Sequence, residues 1–224
     1  MFLAWPALCW SETASLLGAG FAQSRDALLG GDDAQTPMQG GASLFAGRSD
    51  GTFFAPPALG LFGRNTNAVQ HLRYIIGQAE SPRDGYDAVQ HGARIKPTKP
   101  PTQMTLAEIF AWIEATPGQP HAIGRYQFIP DTLARVVHQV GARPQDRFSP
   151  AMQDRLADVL LDDAGFADFM AGQLSQERFM NNLAAIWAGL PSTSGRSKYH
   201  GVAGNRATVT LAYFRAEIAK IRPS

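Results

Sequence analysis

The feature that most constrains this chain is a change of pattern near residue 66. Before it, Gly30-Gly31, Gly40-Gly41, Pro56-Pro57, Gly60 and Gly63 punctuate the sequence, and no apolar periodicity lasts long enough for a helix. After it, apolar residues recur at helical spacing in successive segments, bounded by capping residues, proline or glycine. The chain therefore reads as two parts. Residues 1–65 form an N-terminal apolar segment and Gly/Pro-rich arm, and residues 66–224 form a mainly helical domain.

Six helices are predicted. Thr66 or Asn67 can cap the first, with Val69, Leu72, Ile76 and Ala79 on one face and Pro82 as its stop. Thr105 and Glu108 have capping-box spacing, and Leu106, Ile109, Phe110 and Ile113 face inward until Pro117-Gly118. Pro130 can open the third at its first turn, with Leu133, Val136, Val137 and Val140 inward and Gly141 beyond the end. Ser149-Pro150 starts the fourth, with Met152, Leu156, Val159, Leu160 and Asp163 near one stripe and Gly165 as its stop. Ser175 can cap the fifth, which buries Phe179, Leu183, Ile186 and Trp187 before Pro191. The sixth runs from about Asn205 to Ile221, with Leu211, Phe214, Ile218 and Ile221 on one side. Asp84 to His91 reads as a turn and short strand, and residues 92–103 as a proline-rich loop. The expected fold class is α+β, mainly helical with a small β-region near residues 86–128.

Composition narrows the function classes. Hydrophobic residues are 45% and charged residues 17%, so the chain can bury a core and is not a charge-driven disordered polymer. A formal net charge of +1 makes no electrostatic case for nucleic acid. No apolar run approaches a membrane span. The single cysteine, Cys9, excludes an internal disulfide framework and a cysteine-built metal site. His71, His91, His121, His138 and His200 show no paired ligand spacing, so neither metal nor cofactor is expected. Phe2 to Ala22 is mostly apolar and small, and Gly20-Phe21-Ala22 has a small-x-small pattern. Yet no base precedes Arg25 and Glu12 interrupts the run, so this is a weak export signal. Phe45, Phe53, Phe54, Leu59, Leu61 and Phe62 are too apolar for a purely solvated linker, which predicts that parts of the arm at residues 23–66 dock on the domain or on a partner.

Glu80 is the candidate for chemistry. It falls in the last turn of an apolar helix, just before Ser81-Pro82. The partial negative charge of a helix C-terminus and an apolar neighbourhood both disfavour ionisation of a carboxyl. A carboxyl protonated near neutrality is what a general acid needs. Spacing alone still favours an ordinary exposed terminal glutamate.

The surrounding words shift that balance. Ala79-Glu80-Ser81, Asp84-Gly85-Tyr86-Asp87, Gly124-Arg125-Tyr126-Gln127, Phe148-Ser149-Pro150 with Gln153-Asp154, and Ile186-Trp187-Ala188-Gly189-Leu190-Pro191 follow one another in order. Together they resemble the lysozyme-like family of phage-lambda-type endolysins and related peptidoglycan lytic transglycosylases. The resemblance covers residues 70–221, and residues 1–65 fall outside it.

The resemblance implies a two-lobed fold with a substrate groove, and a substrate, the glycan strand of bacterial peptidoglycan. It makes Glu80 the catalytic acid and places Gly124–Gln127 along the groove. Tyr126 is then a groove-floor or core residue, and Gln127 a sugar-binding one. Ser81, Tyr86 and Tyr213 join them as candidate substrate-binding residues, with Tyr199 a further groove candidate. Gln153 and Asp154 could orient the groove, although a solvated helix start suits them better. Trp187 reads as core. The implied site of action is the periplasm or cell-wall compartment.

Three functions fit: a lytic transglycosylase working through Glu80 alone, a muramidase hydrolysing the same bond, or a non-catalytic wall-binding module. Asp84 and Asp87 are the nearby acids a two-carboxylate muramidase would need, and Asp87 suits a turn-holding role better. Two departures from the family pattern stand out. Residues 92–118 hold an extra loop and helix that could reshape one groove wall. The arm at 23–66 suits contact with a flagellar, secretion or phage machine at the cell envelope.

Overall fold

The structure is a computed structural model that describes residues 66–202 and 204–221. The expectations for the arm, the export signal and Cys9 lie outside the described residues.

Seven α-helices form among the described residues: α1 (Thr66–Glu80), α2 (Leu106–Ala115), α3 (Pro130–Gln139), α4 (Pro150–Asp163), α5 (Phe166–Met170), α6 (Gln176–Ile186) and α7 (Leu211–Ala219). Their starts follow local chemistry. Thr105 and Glu108 close a reciprocal capping box on α2. Ser149, Ser175 and Thr210 each accept a backbone N–H from the first turn of α4, α6 and α7. Pro130 occupies the first turn of α3, where its missing N–H costs nothing.

Helix α1 lies against both α4 and α7, and α6 bridges α5 and α7. Its face of Val69, Leu72, Ile75, Ile76 and Ala79 is buried, next to Leu156, Leu160, Leu183, Phe214 and Ile218 in one hydrophobic core. Trp187 is 2% exposed and belongs to that core, as its spacing predicts. His138 is exposed, also as predicted.

The small β-region does not form. Among the described residues there is no strand, only the isolated bridges Val89–Ile123, Ile123–Phe128 and Thr105–Arg147. The turn at residues 124–127 closes a hairpin a single pair wide, with Ile123 and Phe128 exchanging backbone hydrogen bonds of 3.1 and 3.0 Å. Pro120 and Pro130 flank it closely, and a proline offers no N–H to extend a ladder. The segment predicted as turn and short strand instead winds into a 3-10 turn at Gly85–Asp87.

Three smaller expectations also change. The last helix starts at Leu211 rather than near Asn205. The N–H of Thr208 is committed to the Gly189 carbonyl at 2.9 Å, and Thr210 supplies a cap. Asp163 points outward to Arg135 at 2.6 Å, while Gln153 and Asp158 occupy the buried stripe of α4. A short helix, α5, follows Gly165, whose φ of +86° reverses the chain into it.

Candidate active site

Helix α1 ends at Glu80 because Ser81 precedes Pro82, and the residue before proline is steered away from helical geometry. Ser81 is buried, and its hydroxyl donates to the Arg125 carbonyl at 2.8 Å. That bond joins the helix end to the Gly124–Gln127 turn. Gly124 sits in this turn at a φ of +77°, where an added Cβ would stand 2.4 Å from Oε1 of Gln153. Both the conformation and the space admit only glycine. Gln127 closes the turn at a φ of +46°, a region that non-glycine residues enter at a cost. Its Nε2 donates to the Gly124 carbonyl at 2.9 Å.

The start of α4 holds this turn. Gln153 is fully buried; its Oε1 accepts the Arg125 N–H at 2.8 Å, and its Nε2 donates to the carbonyls of Tyr86 and Phe148 at 2.9 and 3.0 Å. Oδ1 of Asp154 accepts the hydroxyls of Tyr86 and Tyr126 at 2.9 and 2.6 Å. Arg73 of α1 reaches Asp154 at 3.3 Å and Asp158 at 2.5 Å. The Arg125 guanidinium lies 5.1 Å from the Tyr86 ring centre, a cation–π distance. Gln153 and Asp154 therefore organise the turn, and the expectation of a solvated helix start is overturned. A connected polar network of this kind rigidifies what it touches. Burial raises the titration of both tyrosines first, and Asp154 adds to it, so both stay neutral donors.

A cavity of about 610 Å³ opens beside the end of α1. Glu80, Gln127, Ile129 and Trp187 line it together with Gly189, Tyr199 and Thr208, and Gln90, His91 and Arg206 complete its polar rim. A smaller cavity of about 230 Å³ adjoins it through Gln127, Ile129, Trp187 and Tyr199, and runs on to Thr132 and Arg135. Among the described residues lining the larger cavity, Glu80 is the sole carboxylate.

Burial pushes the Glu80 carboxyl up to about 7. The N–H of Gly189 donates to its Oε1 at 2.7 Å and pulls the other way. Gly189 comes so close to α1 that an added Cβ would stand 2.6 Å from the Ala79 carbonyl oxygen. The carboxyl is thus held in one place, half-buried at the cavity wall, and poised near neutrality.

The other predicted residues divide. Gln127 and Tyr199 line the larger cavity, and Tyr126 borders only the smaller one, with its ring 1% exposed and its hydroxyl on Asp154. Ser81, Tyr86 and Tyr213 line neither cavity. The first two brace the turn, while Tyr213 lies within electrostatic reach of Glu217 and Tyr74. The extra stretch 92–118 contributes no lining residue to either cavity. Asp87 accepts the Thr102 N–H at 2.8 Å, which is a turn-holding bond. Gln90, His91, Arg206 and Thr208 carry no local sequence signal, because loops bring them to the cavity only in three dimensions. Among the described residues no cluster of His, Cys, Asp and Glu is arranged to hold a metal.

A family model described as Endolysin matches residues 75–220. The chain belongs to the endolysin family. The match spans Glu80, the Gly124–Gln127 turn, the start of α4 and the Trp187–Gly189 segment, so the whole cavity described above is endolysin sequence. No curated protein and no solved structure matches the chain. Membership of the endolysin family points to an enzyme that degrades peptidoglycan.

Proposed function

We propose that the chain is a peptidoglycan lytic transglycosylase that cleaves the bond between N-acetylmuramic acid and N-acetylglucosamine through Glu80. The observation that carries this reading is one half-buried carboxyl, near neutral titration, without a second carboxylate among the described residues lining its cavity. Glu80 donates its proton to the glycosidic oxygen as the bond to the muramyl C1 breaks. The ionised Glu80 then takes the proton of the C6 hydroxyl while O6 bonds to C1. Atoms balance without water, and the products are a free 4-hydroxyl and a 1,6-anhydromuramyl end. The attacking hydroxyl belongs to the same sugar, which gives it a large effective concentration. A hydrolase of the two-carboxylate kind would place a second carboxyl about 5–9.5 Å from the first, on the cavity wall.

The test is mass analysis of muropeptides released from purified peptidoglycan. Ends lighter by one water support the transglycosylase. Reducing ends alone would assign the chain to the muramidases, and no release at all would leave a wall-binding module. The substrate puts the site of action in the periplasm or cell-wall compartment. For residues 23–66 the proposal is reach toward the wall or contact with a cell-envelope machine, carried by their apolar and Gly/Pro-rich composition.

A further inference from the structure

Two donors of Thr208, its hydroxyl and its N–H, converge behind the Glu80 carboxyl. The Thr208 hydroxyl lies 2.6 Å from the Ala79 carbonyl oxygen and 3.1 Å from that of Gly189. The Thr208 N–H also donates to the Gly189 carbonyl at 2.9 Å. Gly189 in turn donates its N–H to Glu80. The Ala79 carbonyl is one of the last four of α1, which have no partner inside the helix. Thr208 thus satisfies the helix end that carries Glu80 and grips, from its carbonyl side, the residue whose N–H contacts the Glu80 carboxyl.

We propose that Thr208 is a positioning residue for Glu80, setting the Gly189 N–H on the carboxyl by clamping Gly189 to the end of α1. The inference rests on Glu80 being the catalytic acid. It adds the residue that tunes that acid from a loop before α7. The chemistry runs in one direction. The Gly189 N–H stabilises the ionised carboxyl, so a loosened Gly189 leaves Glu80 a weaker acid. The Thr208 hydroxyl also draws on a helix-end carbonyl whose negative charge opposes ionisation nearby. Losing the hydroxyl therefore raises the titration of Glu80 by both routes.

His91, Tyr199 and Arg206 are the other titratable or charged side chains lining the cavity. His91 is the one whose ordinary range overlaps that of Glu80. The experiment is the pH profile of kcat/KM on soluble glycan oligomers, measured for Thr208→Val, Thr208→Ala, Thr208→Ser and His91→Gln. Valine and alanine at 208 should move the alkaline limb upward by roughly half a pH unit and lower kcat about tenfold. Serine should restore the limb, because it restores the hydroxyl, and the limb should persist in His91→Gln. Valine and alanine variants with an unmoved limb would overturn the proposal, as would a serine variant shifted as far as alanine. If valine does not fold, alanine against serine decides. Glu80→Gln, run in parallel, separates the two claims. Full activity there would overturn the catalytic reading itself, whereas an inactive glutamine variant beside an unmoved alanine limb would overturn Thr208 alone.

Discussion

The N–H of Gly189 meets Oε1 of Glu80 at 2.7 Å, so the carboxyl that burial holds protonated is also the one given a ready donor for its ionised form. The two influences oppose each other, and burial prevails. A group that must give up a proton and take one back needs this kind of balance.

Glu80→Gln should fold with its hydrogen bond to Gly189 intact, since the amide oxygen can still accept. Its amide has no acidic proton to transfer to the leaving oxygen, so turnover should fall about a hundredfold or more. Release of soluble fragments from purified wall, compared at equal folded concentration, checks this. Asp87→Asn should cost far less, because Asp87 holds the Thr102 turn instead of lining the cavity.

The same substitution should change the pH dependence of stability. The folded chain binds the Glu80 proton up to about pH 7, whereas the unfolded chain releases it near the ordinary value of 4.5. Between those values the unfolded state loses its proton first, so the contribution of Glu80 is favourable at low pH and is lost as pH rises through the window. Glutamine removes that slope. Relative to the parent, the variant should therefore gain stability from pH 4 to pH 8, by roughly 3 kcal/mol. Denaturant titrations at the two pH values measure the difference.

At Gly189, alanine would drive a methyl against the Ala79 carbonyl, which is backbone and has little room to yield. Gly189→Ala should lower both stability and turnover, because relief of the clash moves the N–H off Glu80. Thermal melts and wall-release assays together test the pair of effects. Wild-type turnover with a lowered melting temperature would mean that the N–H contact is dispensable.

Gln127 separates conformation from contact. Gln127→Gly should keep or slightly raise stability, since glycine accepts a φ of +46° freely. Activity should nonetheless fall, because the side chain facing the cavity is gone. Gln127→Ala should lose activity and also stability, by about 1 kcal/mol, because the Nε2 bond to the Gly124 carbonyl is removed while the backbone conformation gains no relief. Normal activity in both variants would remove Gln127 from the substrate contacts.

A chain beginning at Arg64 should fold and act on isolated wall, because the core elements from α1 to α7 all lie beyond that point. Circular dichroism and wall release check this. Global unfolding would make the preceding residues part of the core.

Much of this molecule is written in local pattern. Helix starts at Thr105, Ser149 and Ser175 were legible because a cap is a contact between residues three apart. The α1 face was legible because burial imposes a 3.6-residue period. Glu80 stood out from its place at a helix end, together with the order of the surrounding motifs. The β-region misled because bridge-forming residues read the same whether they extend a ladder or stop after one pair. The difference lay in what packs around them.

Tertiary structure alone decided the rest. Gln153 and Asp154 look like an ordinary helix start, and their work is with Tyr86, Arg125 and Tyr126, which no spacing rule connects to them. Thr208 and Gly189 reach the end of α1 from distant loops, and a hydrogen bond between remote segments leaves no periodic trace. The titration of Glu80 belongs to the same class. The sequence by itself determined where a carboxyl would sit on its helix, but how far water is kept from it depends on every segment that closes over it, and that is a property of the packed fold.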